Sequence, residues 1–172
     1  MVKENQMKKQ IILGVVSALL LSTGCQPSTK TLDELDWALG TWHGSRRAAE
    51  DGLDVPMTVR VERLDCGQIE RLQVESSPRP YVGFTIRSRD ASGRWTMIYA
   101  NSTRPSIGRL QGTFENKRSK WESIAPDQKH ASRFVSEQID ANHWHRTQFV
   151  SEDGGKTWKT LFTDALERAP DK

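Results

Sequence analysis

The chain has 172 residues, with 25 Lys and Arg against 22 Asp and Glu, two Cys and six Trp. Three of the Lys and one of the Glu lie in the first 24 residues, so the remaining 148 carry 22 basic against 21 acidic residues, a net of +1. A pI near 9.0 therefore gives no support to a nucleic-acid partner, and what remains after the first 24 residues has the size of one domain.

Lys3, Lys8 and Lys9 precede an apolar run from Ile11 to Leu21, which ends in Leu21-Ser22-Thr23-Gly24-Cys25. A basic head, a short apolar run and small residues before a cut site make a secretory signal. Eleven residues are too few for a spanning helix, which needs about 20. The segment resembles the lipobox of bacterial lipoproteins, with Ser22 where Leu is usual. That resemblance implies a signal peptide over residues 1–24 and a lipidated Cys25. Several acyl chains would then hold the membrane, each buried methylene contributing about 0.8 kcal/mol. Gln26 rather than Asp after the Cys implies the outer membrane, with the domain facing the periplasm. Residues 25–30 read as a lipidated tether and 31–172 as the folded domain. With Cys25 lipidated, no intramolecular disulfide is expected, and the core alone must hold the fold.

Thr31 and Glu34 have capping-box spacing, and Gly40 can stop a helix, so a short helix is expected over Leu32–Leu39. Beyond Gly40 the pattern has period two, with turn residues every eight to twelve positions. The expected strands are Thr41–Arg47, Met57–Leu64, Gln68–Ser76, Tyr81–Arg89, Arg94–Asn101, Gly108–Phe114, Ser119–Ile124, Ala131–Ile139, His143–Ser151 and Thr157–Leu166. Asp65-Cys66-Gly67, Asp90-Ala91-Ser92-Gly93 and Asp153-Gly154-Gly155 supply turns. About ten short strands in an antiparallel meander must hide their edges, and closure does so. The expected fold is all-β, an up-and-down barrel of about ten strands with a short N-terminal helix. A β-sandwich is the alternative.

Leu35-Asp36-Trp37-Ala38-Leu39-Gly40-Thr41-Trp42-His43-Gly44 resembles the opening of lipocalin-like domains, and more distantly that of nitrobindin and fatty-acid-binding barrels. Gly40-Thr41-Trp42 matches the Gly-x-Trp of lipocalins. The resemblance implies that Trp42 plugs one barrel end against an Arg of the last strand, here Arg168. Ser151 to Trp158 also matches the Asp-box of sialidase propellers. It occurs once, and a chain of this size cannot form such a propeller, so it reads as a well-made hairpin.

Several strands are polar on both faces, among them Arg60-Val61-Glu62-Arg63, Arg109-Leu110-Gln111 and His145-Arg146-Thr147-Gln148. Two others alternate clearly. Trp95, Met97 and Tyr99 share one face, and so do Val82, Phe84 and Ile86. Taken as inward, these faces make Phe84, Ile86, Trp95, Met97 and Tyr99 the candidate pocket residues, apolar with a few polar anchors.

No nucleophile elbow, P-loop or dinucleotide fingerprint is present, so neither a cofactor nor catalytic residues are assigned. His143 and His145 share a strand face but have no third ligand at metal spacing, and no metal is assigned. With no His after His145, the haem ligand of nitrobindin-like barrels has no counterpart. The expected function is binding of a small hydrophobic or amphipathic molecule at the cell envelope. The alternative is a packed barrel that docks another envelope protein, and an enzyme is the least favoured reading.

Overall fold

The alternating segment past Gly40 forms ten strands: β1 (Gly40–Ala48), β2 (Asp54–Leu64), β3 (Gly67–Val74), β4 (Tyr81–Arg89), β5 (Trp95–Asn101), β6 (Arg104–Glu115), β7 (Arg118–Ser123), β8 (Ala131–Gln138), β9 (His143–Ser151) and β10 (Lys159–Arg168). The structure, a computed structural model, describes residues 33–75, 80–90, 92–102, 104–123 and 129–170. The signal segment, Cys25 and the tether lie outside them.

Each strand runs antiparallel to its chain neighbours, and β1 closes on β10 through Trp42↔Arg168 to Ala48↔Phe162. The sheet is thus a closed barrel rather than a sandwich, and closure pairs the two strands that would otherwise template aggregation. This up-and-down meander is consistent with a lipocalin-like fold.

Several boundaries differ from the sequence reading, most of them by one or two residues. The N-terminal turn is a six-residue 3-10 helix, Asp33–Ala38. β2 starts at Asp54, because Pro56 has no N–H to contribute yet its carbonyl accepts the Glu75 N–H. β6 starts at Arg104, where a register shift between Tyr99 and Asn101 on β5 absorbs the irregularity. β10 starts at Lys159 because Asp153 holds the preceding loop. Its carboxylate accepts the backbone N–H of Lys156 and of Thr157 and the hydroxyls of Thr157 and Ser151. Those bonds, led by the Thr157 hydroxyl, keep the Asp153 carboxyl well below the usual range.

Cys66 sits half-buried in the β2–β3 turn.

Two apolar clusters fill much of the barrel. One contains Trp42, Val59, Val61, Leu72, Trp144 and Leu166, drawn from β1, β2, β3, β9 and β10. The other contains Leu35, Trp95, Met97, Leu110, Trp121 and Phe134, drawn from the 3-10 helix and β5 to β8. Burying each such side chain stabilises the fold by about 1.5–3 kcal/mol.

The 3-10 helix caps one end of the barrel. Trp42 Nε1 donates to the Ala38 carbonyl at 2.9 Å, Gln68 Nε2 to the Leu35 carbonyl at 2.9 Å, and Trp95 Nε1 to the Glu34 carboxylate at 2.8 Å. Arg168 donates to the Trp37 and Leu39 carbonyls at 2.7 Å each, with its guanidinium carbon 4.2 Å from the Trp42 ring centroid. Trp37 and Trp42 each meet Trp144 edge-on, with ring centroids 5.4 and 5.6 Å away.

Candidate functional site in the barrel interior

Among the described residues, five charged side chains lie buried in the barrel: Arg46, Glu70, Arg87, Arg146 and Asp164. Alternation puts them there. Arg46 follows Trp42 and Gly44 on the inner face of β1, and Glu70 stands between buried Gln68 and Leu72 on β3. Arg146 follows Trp144 on β9, and Asp164 precedes Leu166 on β10.

Asp164 faces Arg46 on one neighbouring strand and Arg146 on the other, in direct register. Arg46 grips its carboxylate with two bonds, Nε to Oδ1 at 2.7 Å and Nη2 to Oδ2 at 2.9 Å, while Arg146 Nε donates to Oδ2 at 2.7 Å. Arg146 then reaches across the lumen to β3, where Nη1 donates to Glu70 Oε1 at 2.6 Å. Arg87 on β4 closes the chain by pairing with the other Glu70 oxygen. Burial alone would push the Glu70 carboxyl up. The charges of Arg146 and Arg87, with hydrogen bonds from both, outweigh burial and hold it at about 2. Burial likewise opposes the charge on Arg146, and Glu70 and Asp164 overcome it, raising its pKa.

Beside this charged layer lies a cavity of about 20 Å³, lined on one side by Arg46, Arg87 and Arg146 and on the other by Met97, Tyr99 and Phe134. Its volume admits about one water molecule. Phe162 also lines it, with the Arg46 guanidinium 3.5 Å over its ring. Arg46 also hydrogen-bonds the Tyr81 hydroxyl. Two guanidinium nitrogens of the layer are buried with no hydrogen-bond partner among the described residues, Arg87 Nη1 and Arg146 Nη2, but the second still lies 2.7 Å from the Asp164 carboxylate.

Of the pocket candidates named from sequence, Met97 and Tyr99 line this cavity and Trp95 packs inward on the same strand. Phe84 and Ile86 do not. The buried positions of β4 are Gly83, Thr85 and Arg87, so Phe84 and Ile86 point outward. The inward assignment of that face is corrected. It failed because β4 turns its polar residues into the barrel and its apolar ones out. The outward residues continue a stripe in which Ile69, Ile86 and Ile98 are direct cross-strand neighbours.

The five charged residues were not singled out from sequence. The signal was the strands that are polar on both faces, since Arg146 sits in one of them. Pairing partners 76 and 118 residues apart leave no mark in a single chain.

No family model and no curated protein matches this chain.

On the outside, His43 and His143 flank Glu167 in register. Their Nδ1 atoms are engaged by the Thr58 hydroxyl and the Asp140 carboxylate. Among the described residues no three His, Cys, Asp or Glu side chains are gathered as a metal would need. Both buried acids among the described residues, Glu70 and Asp164, are spent on guanidiniums.

Proposed function

We propose that this chain is a lipocalin-like binding barrel of the cell envelope that takes a small amphipathic molecule into its interior. Its anionic or polar end would meet Arg46, Arg87 and Arg146, and its apolar part Met97, Tyr99, Phe134 and Phe162. The observation that carries this reading is the cavity where the charged layer meets the aromatic cluster, since sites of this kind are largely apolar with a few fixed polar groups. A ligand larger than a water must displace aromatic side chains, and Phe162 and Tyr99, both only half-buried, are the ones placed to yield. The lipobox adds the address: lipidation of Cys25 would hold the barrel at the membrane, and Gln26 implies the outer one.

Titration of the purified protein with an environment-sensitive fatty-acid dye tests the binding. Saturable uptake that falls in a Phe134→Trp variant, whose larger ring fills the cavity, is expected. Absence of any uptake removes the proposal. The anchor is tested separately, by the mass of the N-terminal peptide. A diacylglyceryl thioether on Cys25 supports it, and a non-reduced Cys25–Cys66 peptide opposes it.

A packed barrel that docks a partner is favoured by a different observation, the outward apolar stripe of Ile69, Phe84, Ile86 and Ile98 on β3 to β5. Such a patch on a protein surface commonly marks an interface. A photo-crosslinker at position 86 should then yield one dominant adduct in intact cells, and a smear of weak adducts would count against it.

A further inference from the structure

The buried charges do not balance. Among the described residues, three guanidiniums, Arg46, Arg87 and Arg146, face two carboxylates, Glu70 and Asp164, inside the barrel. Both carboxylates are fully committed. Asp164 takes Arg46 and Arg146, and Glu70 takes Arg146 and Arg87. One positive charge is left over where at most about one water can reach it, and buried charges persist only when paired. The surplus has a location. Arg87 has a side chain only 5% exposed, its Nη1 has no partner, and it lines the cavity of about 20 Å³. Thr85 and Ser136, which line the same space, add hydroxyl groups that can donate.

We propose that the cavity beside Arg87 is a binding site for one monovalent anion of about the size of a water, a halide, which neutralises the charged layer. The volume fits a single water-sized occupant and rejects a bulky one. Donors fit an anion better than a water: Arg87 Nη1 and the two hydroxyls can all give hydrogen bonds, and the two carboxylate groups nearby already accept from guanidiniums. This inference goes beyond ligand binding by the barrel and does not require it, because the anion fits the space as it stands.

Thermal unfolding of the purified full chain, as isolated, tests it. Sodium chloride is compared with sodium acetate and sodium gluconate at matched ionic strength, both organic anions being too large for the space. Chloride should raise Tm saturably, by about 3–6 °C at tenfold over Kd, while acetate and gluconate do not. An equal response to acetate would mean a site larger than this cavity and overturns the proposal. Arg87→Gln removes the surplus charge and should abolish the response. Should that variant fail to fold, Ser136→Asp supplies an internal carboxylate instead and should make Tm independent of the added anion. Equal Tm in all three salts for the wild-type chain overturns the proposal, and so does a response that survives unchanged in either variant. Dye uptake without an anion response leaves the binding barrel standing and removes this site. An anion response without dye uptake does the opposite.

Discussion

Replacing Glu70 by Gln tests whether the charged layer is an integral part of the fold. The carboxylate accepts from Arg146 at 2.6 Å on one oxygen and from Arg87 on the other, and its side chain is 2% exposed. The amide of the Glu70→Gln variant would keep the shape and leave both guanidiniums buried without their anion. Removing one partner of such a buried pair costs about 3–5 kcal/mol. An independent route gives a similar size. The folded-state carboxyl lies at about 2 against an ordinary 4.5, and at about 1.4 kcal/mol per pH unit that difference amounts to about 3 kcal/mol. Urea unfolding at pH 7 should therefore show a midpoint lower by about 2 M in Glu70→Gln. Because the folded pKa is depressed, this contribution is complete above pH 4.5 and is lost as pH falls through about 2. The gap between wild type and variant should thus close over that window. A gap below about 1 kcal/mol at pH 7, or one indifferent to pH, would refute the reasoning.

Three further perturbations test other parts of the structure. A Cβ at Gly112 would press into the Trp121 ring, so Gly112→Ala should cost about 1–3 kcal/mol of stability, read as a lower Tm. Arg168→Met removes two carbonyl hydrogen bonds and the contact over Trp42. It should cost about 1–3 kcal/mol and shift Trp fluorescence to the red as the barrel end loosens. Asp153→Ala frees the backbone N–H groups of Lys156 and Thr157, whose amide exchange should speed while that of β5 stays unchanged.

The barrel was largely legible because period-two alternation and turn chemistry are local. Strand ends moved where a side chain reached outside its own segment, as Asp153 does in delaying β10. The interior was legible only in part. Trp95, Met97 and Tyr99 alternate with Thr96, Ile98 and Ala100, and the aromatic side does face inward. On β4 the same logic chose the wrong face, because hydrophobicity assigns sides only when the interior is apolar. Here Thr85 and Arg87 are buried and Phe84 and Ile86 are not. Arg87 is stable inside because Glu70 waits on the neighbouring strand, and Arg146 because the same Glu70 lies across the lumen. Such compensation depends on which strands face each other, which one sequence does not display.

The most direct test is hydrogen exchange of the arginine side chains, followed by NMR in D2O on the purified protein. If the barrel closes around a charged layer, the Nε–H protons of Arg46 and Arg146, each hydrogen-bonded to Asp164, should persist long after that of Arg60, whose side chain is 65% exposed, has vanished. Exchange of all three at the same fast rate would mean that water reaches these guanidiniums, and the sealed charged interior would be contradicted.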